Sequence, residues 1–110
     1  MELTSKKCKP CDAGTPRLNA SEVAGLLAQL AGWQATDGQR KLTKQLRFAD
    51  FKAAMVFVNR MADVAEAEQH HPDFAVHYDT VDVTVWTHSV GGLSENDFIL
   101  AAKLDQLRPR

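Results

Sequence analysis

The chain has 110 residues, of which 45% are hydrophobic and 25% charged, and its formal net charge is −1. This composition is typical of one folded domain and excludes a disordered chain. The near-neutral charge argues against a nucleic-acid-binding protein, which needs a basic patch to neutralise phosphates. Because no apolar run approaches about 20 residues and none follows the N-terminal lysines, we expect no membrane partner and a cytoplasmic location.

Residues 1–17 are predicted to form an irregular N-terminal tail, because proline and glycine recur there, and residues 18–110 a single domain. Within the tail, Cys8 and Cys11 form a lone C-x-x-C motif. A closed zinc site needs four ligands, and a thioredoxin-like motif lies where a strand leads into a helix. Neither condition is met, so the pattern favours a flexible tail with two reduced thiols.

The first helix is predicted to begin after Asn19, which can form a capping box with Glu22. Apolar residues recur at helical spacing from Val23 to Leu30, and Gly32 is a natural stop. We expect this apolar stripe to face the core.

A β-hairpin is predicted next. Residues 33–36 and 40–48 flank Asp37-Gly38, a pair that tolerates the positive φ of a type I′ turn. The second strand alternates between apolar and polar side chains, which suits an antiparallel sheet covered on one face. Lys44 interrupts the apolar side, whose other members are Leu42, Leu46 and Phe48.

A second helix of about five turns is predicted from its cap, Asp50, to near His70. It should end there because Pro72 disfavours helical geometry in the residue before it. The stripe expected to face the core consists of Phe51, Ala54, Met55, Val58, Met61, Ala62 and Ala65.

Two strands and a third helix complete the pattern. Residues 74–78 are short and β-prone; residues 81–88 alternate, so the valines should meet the helices while His88 starts from the less covered side. Ser94 and Asp97 form a second capping box. The order α-β-β-α-β-β-α predicts an α+β domain with helices on one side of an antiparallel sheet. The third helix should bury the stripe Asp97, Leu100, Ala101, Leu104 and Leu107.

The corner after the second helix carries the residues best suited to chemistry. His70 and His71 lie at the negative end of the helix dipole, where a protonated histidine is favoured. Glu66 lies one turn before His70 on the same face, so we expect this carboxylate to orient that imidazole. If His88 approaches the same corner, imidazoles that exchange protons near neutral pH predict general acid–base catalysis.

Other interpretations of these histidines remain open at this point. A histidine at a helix end often only satisfies the terminal carbonyls, and one at a strand end is often merely solvated. Adjacent helical residues point about 100° apart, so a metal site would need either His70 or His71 together with His88 and a carboxylate. Nucleophilic catalysis is less favoured, because the serines lack a strained turn and the cysteines lie in the tail.

One set of spaced residues connects the second helix to the third: Glu66-x-x-x-His70-His71-Pro72, Tyr78, Thr87-His88 and Gly92-Leu93-Ser94-Glu95-x-Asp97. This combination resembles the motif of the pterin-4a-carbinolamine dehydratase family, and the similarity covers about residues 18–107. The family fold has three helices on one face of a four-stranded antiparallel sheet, which agrees with the predicted order of elements.

The resemblance implies a hydro-lyase that removes water from 4a-hydroxytetrahydropterin (4a-hydroxytetrahydrobiopterin), the product of aromatic amino-acid hydroxylases, without a metal or cofactor. It also implies a homo-oligomer, either a dimer or a tetramer. The alternative is a non-catalytic pterin-binding or dimerisation module of the same fold. By resemblance, the catalytic residues are His70, His71 and His88, the pterin contacts are Pro72, Phe74, Thr87, Ser89 and Val90, and the supporting residues are Glu66 and Asp97.

Overall fold

The computed structural model describes residues 3–9 and 16–107. The predicted order of elements and the α+β class are confirmed. Within the described part of the chain, no helix is both long and apolar enough to cross a membrane. The elements are α1 (Ala20–Leu27), β1 (Gln34–Thr36), β2 (Lys41–Arg47), α2 (Phe51–Glu68), β3 (Asp73–His77), β4 (Thr80–Val85) and α3 (Glu95–Asp105), with 3-10 turns at Leu3–Ser5 and His88–Val90.

The four strands form one antiparallel sheet in the order β1-β2-β4-β3. Leu42 pairs with Val85, and both side chains are completely buried under the helices. Lys44 pairs with Val83 and therefore lies on the same covered face. Its Nζ donates to Oδ1 of Asp105 in α3 at 2.9 Å, which explains how a charge is accommodated in the apolar row.

The helix starts follow the predicted caps. Asn19 and Glu22 exchange side-chain-to-backbone hydrogen bonds of 2.9 Å at the start of α1. Ser94 and Asp97 form the second capping box at the start of α3, and Asp50 accepts from a backbone N–H in the first turn of α2. Each such cap stabilises its helix by about 1 kcal/mol.

Helix α1 is shorter than predicted, because it ends at Leu27 rather than near Gly32. The next residues tighten into a 3-10 turn, in which the Leu30 N–H donates to the Leu27 carbonyl at 3.0 Å. Gly32 then has a φ of 81°, and a Cβ there would lie 3.2 Å from Cε of Lys44. The reversal into β1 therefore needs a glycine at this position.

The hairpin also differs from the predicted two-residue turn. Thr36 pairs with Lys41, which leaves a loop of four residues between β1 and β2. Asp37, Gly38 and Gln39 all have positive φ. The Asp-Gly pair thus marks the turn correctly, but the left-handed region extends one residue further than a type I′ turn allows.

Helix α2 buries a stripe that differs from the predicted one. Phe51 and Ala62 are exposed, whereas Phe57, outside the predicted stripe, is buried. The Phe57 ring packs against Phe48 with centroids 5.2 Å apart. The centre of the predicted stripe therefore lies about one position away from the centre of the observed one. The buried residues of α2 are Ala54, Phe57, Val58, Met61 and Ala65.

Helix α3 is buried almost all round in its first half, from Asn96 to Ala101, although the sequence predicted a single stripe. Residues 3–9 explain the difference, because Leu3 joins the core and the turn that contains it packs against α3. Residues 3–9 therefore pack on the domain instead of forming a flexible tail, while an irregular tail over residues 1–17 stays a prediction. Of the C-x-x-C motif, Cys8 is a free, half-buried thiol, and Cys11 lies outside the described residues.

Candidate active site

The turn after α2 sets the direction of the two adjacent histidines. Gln69 ends the helix in the left-handed region, with a φ of 54°. The His70 N–H then donates back to the Ala65 carbonyl at 3.1 Å, which closes a Schellman-type ending. Because Gln69 breaks the helical geometry, His70 leaves the helix surface and turns toward α3.

His70 is bound to Asp97 of α3. Its Nε2 lies 2.6 Å from Oδ1 of Asp97, a side chain with no exposed surface. The second carboxylate oxygen, Oδ2, accepts hydrogen bonds of 2.8 Å from the Ser94 N–H and from the Thr87 hydroxyl. One carboxylate thus caps α3 and orients an imidazole of which 12% is exposed.

Glu66 contacts a different histidine from the one predicted. The sequence predicts that Glu66 orients His70, but its Oε2 lies 2.5 Å from Nε2 of His71. The prediction assumed that helical spacing continues to residue 70, and the left-handed Gln69 interrupts that spacing. Both partners of the pair are more than half exposed, so water competes for this hydrogen bond.

His88 lies on the 3-10 turn that follows β4. The strand was predicted to extend to His88, but it ends at Val85. Its ring stacks against Trp86, with centroids 3.8 Å apart and an angle of 38° between the planes. The Trp86 ring is held in turn by a 3.1 Å hydrogen bond from its Nε1 to Asp73 Oδ2. Lys41 Nζ lies 4.8 Å from the centre of the Trp86 ring.

These elements enclose a cleft of about 760 Å³. The structure brings to it six of the predicted site residues: His70, His71, Pro72, Thr87, His88 and Ser89. Glu66 and Asp97 lie behind the histidines that they bind. Phe74 and Val90, predicted from the resemblance to contact the pterin, are not among the described residues that line the cleft.

Part of the cleft wall was not predicted from the sequence. Lys7, Cys8 and Lys9 line it, and so does Asn96 of α3. The Asn96 carboxamide accepts from the Lys9 N–H at 2.9 Å and donates to the Lys9 carbonyl at 2.5 Å. No periodic pattern marks this segment, so the sequence carried no signal for it. Trp86 did carry one, because strand alternation already placed it on the same face as His88.

Glu68, at the end of α2, connects the N-terminal segment to α3. Its two oxygens accept from the Cys8 N–H at 2.9 Å and from Lys103 Nζ at 2.7 Å. Burial by itself opposes ionisation of Glu68, but these hydrogen bonds outweigh it and lower the pKa of the carboxyl below its usual 4.5. Burial, reinforced by the nearby Glu68 charge, raises the pKa of the Cys8 thiol to about 12.

The structure also bears on the metal alternative. Among the residues described, no three or more His, Cys, Asp and Glu side chains are grouped so that they could hold a metal ion. The imidazoles that share the cleft have separate partners instead, namely Asp97 for His70, Glu66 for His71 and the Trp86 ring for His88. Each of the three imidazoles is therefore positioned by its own neighbour.

A family model, related sequences and a solved structure all match this chain and indicate the same family. The family model described as "Pterin 4 alpha carbinolamine dehydratase" matches residues 16–107. A protein of Nitrosomonas europaea named "Putative pterin-4-alpha-carbinolamine dehydratase" is 49% identical, over 96% of this chain and 93% of its own length. One of the same name from Rubrobacter xylanophilus is 42% identical, over 96% and 98%. A crystal structure from Brucella melitensis, of a transcriptional coactivator/pterin dehydratase, is 39% identical, covers 84% of this chain and 99% of that one, and superposes with a TM-score of 0.81.

Proposed function

This chain belongs to the pterin 4 alpha carbinolamine dehydratase family, and on that premise we propose that it removes water from a 4a-hydroxytetrahydropterin to give a quinonoid dihydropterin. Membership of a dehydratase family makes the chain an enzyme of the hydro-lyase class. One observation carries the proposal for the site: His70, His71 and His88 line a single cleft, although they come from two separate turns.

The proposed reaction needs two proton transfers. The C4a–O bond breaks and a proton reaches the departing hydroxyl oxygen, which leaves as water. The N5 lone pair forms the N5=C4a double bond, and the proton of N5 passes to a base. Two positioned imidazoles in opposite protonation states serve both transfers, with a contribution typical of general acid–base catalysis, about 10²–10⁴-fold.

His70 is the residue best suited to accept the proton from N5. The Asp97 carboxylate has no hydrogen to donate, so it selects the His70 tautomer that carries its hydrogen on Nε2. The lone pair of the neutral ring then lies on Nδ1. When Nδ1 accepts a proton, the buried carboxylate stabilises the resulting imidazolium, as an aspartate does behind a catalytic histidine.

His88 is the residue best suited to donate a proton to the 4a-hydroxyl oxygen. Its ring is positioned by stacking on Trp86, and within the described chain neither of its nitrogens is engaged in a hydrogen bond. It is exposed, so it can recover its proton from water after each turnover. His71 completes the set, and its exposed bond to Glu66 allows proton exchange with solvent.

The proposal is tested with chemically generated 4a-hydroxytetrahydropterin, whose loss is followed by absorbance against the uncatalysed rate. His70→Ala and His88→Ala should keep the fold, by circular dichroism, and each lose about 10²-fold or more in kcat. The matched control is His77→Ala, since His77 lies in β3, contacts Asp82 and does not line the cleft. Wild-type rates in either cleft variant would refute the assignment, and pterin binding without turnover by the wild type would favour the non-catalytic alternative.

We further propose that the dehydratase recycles the pterin cofactor of an aromatic amino-acid hydroxylase. Such a hydroxylase releases the 4a-hydroxy product, and the quinonoid product is ready for reduction. In a coupled assay with a hydroxylase and a quinonoid dihydropterin reductase, addition of this protein should raise the steady-state rate when dehydration limits it. No increase at any ratio of the enzymes would reject this role.

A homo-oligomer, dimeric or tetrameric, remains a prediction that two surfaces support. Phe51 and Val56 of α2 and Phe74 of β3 are large apolar side chains exposed in the single chain. β3 is also an edge strand, which has free backbone groups to pair. Light scattering coupled to gel filtration should give a mass of two or four chains, and a monomer at micromolar concentration would contradict the prediction.

A further inference from the structure

We propose that the N-terminal residues Lys7–Lys9 form a basic rim of the cleft and that Lys7 binds an anionic group, a carboxylate or a phosphate, on the C6 side chain of a pterin. The inference rests on the proposed function, because it assumes that a pterin occupies the cleft. It adds a specificity element that lies outside the histidine cluster and outside residues 16–107, the part of the chain that matches the family model.

The rim is fixed to the domain on both sides of Lys7. On one side, Lys6 Nζ pairs with Glu95 Oε2 at 2.8 Å, and Leu3 is buried in the core. On the other side, the Cys8 N–H donates to Glu68 at 2.9 Å. These anchors hold the Lys7 backbone in place, so the segment presents a defined wall.

Asn96 is the residue that holds the end of the rim. It is 93% buried, and its carboxamide bonds both the N–H and the carbonyl of Lys9. A two-point hydrogen bond of this kind fixes both the position and the direction of a backbone. Because Asn96 also lines the cleft, the rim is held directly beside the candidate site.

The charges around the cleft leave Lys7 available for a ligand. The two carboxylates among the lining residues have other partners: Glu68 accepts from Lys103 and Cys8, and Asp73 accepts from Trp86. Lys6 is neutralised by Glu95. Lys7 is exposed and forms no ion pair within the described chain. An ammonium group held beside a cleft without a counter-ion favours a ligand that supplies one.

The chemistry of the pterin suggests which part of it meets this charge. The reacting atoms, C4a and N5, must lie near the imidazoles, and the C6 substituent leaves the ring from the atom next to N5. That substituent is the variable part of a pterin and the part that can carry a charge. A lysine side chain at the rim is long and flexible enough to follow it.

The test compares pterins that share the ring and differ in the group at C6, which is either neutral or anionic. The neutral probe is 6-hydroxymethylpterin, and the anionic probes are pterin-6-carboxylate and the phosphate ester of 6-hydroxymethylpterin. Their Kd values are measured by calorimetry at low and at high salt for the wild type, Lys7→Ala, Lys7→Glu and Lys52→Ala. Lys52 is an exposed lysine of α2 that does not line the cleft, so it is the matched control.

The wild type should bind an anionic probe more tightly than the neutral one. Lys7→Ala should reduce this preference by about threefold, in the range of an exposed ion pair. Lys7→Glu should reverse the preference and Lys52→Ala should leave it unchanged. High salt should weaken the preference in the wild type and in Lys52→Ala alike, and should have little effect in Lys7→Ala. A carboxylate preference without a phosphate preference, or the reverse, identifies which anion the rim serves.

A second variant separates a binding role from a structural one. Asn96→Ala keeps both lysines but releases the rim, so it should lower the preference for the anionic probes as Lys7→Ala does. Equal losses for neutral and anionic probes in the Lys7 variants would show a structural role and overturn the inference. If the wild type binds no pterin, the proposed function is rejected. If it binds all probes equally well, the proposed function stands and only the role of the rim is rejected.

Discussion

Nε2 of His70 lies 2.6 Å from Oδ1 of Asp97, a residue 27 positions further along the chain and without exposed surface. The same carboxylate caps α3 through the Ser94 N–H and accepts the Thr87 hydroxyl. The orientation of the imidazole is therefore tied to the start of a core helix, and it does not depend on a mobile surface side chain.

Asp97→Asn should lower kcat by about 10²-fold, within the range for loss of a group that orients a catalytic base. The variant keeps the size of the side chain but removes its charge. An amide that keeps its oxygen toward Ser94 and Thr87 turns its NH₂ toward His70, so the ring adopts the other tautomer and the imidazolium loses its stabilising charge. Steady-state kinetics measures the effect, and circular dichroism checks the fold.

Asp105→Asn is the matched control for Asp97→Asn. Asp105 lies on the same helix and accepts hydrogen bonds from Lys44 and from the Trp33 indole. Neither partner is a histidine of the cleft. This variant should lose some stability and keep its kcat. If both variants lose activity equally, the effect of Asp97→Asn is a general one on α3, and its role behind His70 is rejected.

Glu66→Gln should have a much smaller effect, about two- to fivefold in kcat. Its bond to His71 is exposed on both sides, and exposed pairs of this kind contribute about 0.2–1 kcal/mol. The two carboxylates of the site are thus ranked by burial, with Asp97 above Glu66. Parallel kinetics of the two amide variants measure the ranking, and a larger loss in Glu66→Gln would contradict it.

Trp86 should act as a positioning residue for His88. Trp86→Phe keeps a ring under the imidazole and should retain most activity, whereas Trp86→Ala should lower kcat by about tenfold, since misplacement of a catalytic group is costly. Rescue by the phenylalanine variant distinguishes stacking from the hydrogen bond to Asp73. Equal losses in both variants would assign the role to the indole N–H instead.

Features that depend on near neighbours could be predicted from the sequence. The caps Asn19 and Asp50 act on backbone groups within three residues, and the alternating valines of β4 need only a period of two. The order of elements and the covered face of the sheet followed from these local signals. The resemblance to a known family singled out three histidines, and the structure brings all three to one cleft.

Features that depend on partners far apart in the chain could not be predicted. The exchange of partners between Glu66 and the two histidines follows from one left-handed residue, Gln69, which has no side-chain signal for that conformation. Asn96 and Lys9 are 87 positions apart, and their contact is made through the backbone of Lys9. Such a contact leaves no pattern in the residues of the N-terminal segment.

Glu68 should make the stability of the protein depend on acid pH. The pKa of the Glu68 carboxyl lies below its usual 4.5 in the folded protein. At a pH between this lowered pKa and 4.5, the unfolded chain therefore binds a proton that the folded chain does not. The stability that Glu68 contributes is therefore present above pH 4.5 and is lost as the pH falls through the lowered pKa. Urea unfolding across this range should show a shallower fall for Glu68→Gln than for the wild type, and parallel curves would contradict the prediction.

Cys8 should be a slow nucleophile in the folded protein, because its pKa rises from 9.0 to about 12 and the thiolate is the reactive form. In a Cys11→Ser background, alkylation near pH 8 should be at least about tenfold slower in the native state than in urea. Burial is the largest cause of the raised pKa of Cys8, and the Glu68 charge is the next. Glu68→Gln removes that charge, so it should lower the pKa and speed the native reaction. The same measurement tests whether residues 3–9 are docked: a native rate equal to the rate in urea would mean that the segment is free, and the wall it forms beside the histidines would be lost with it.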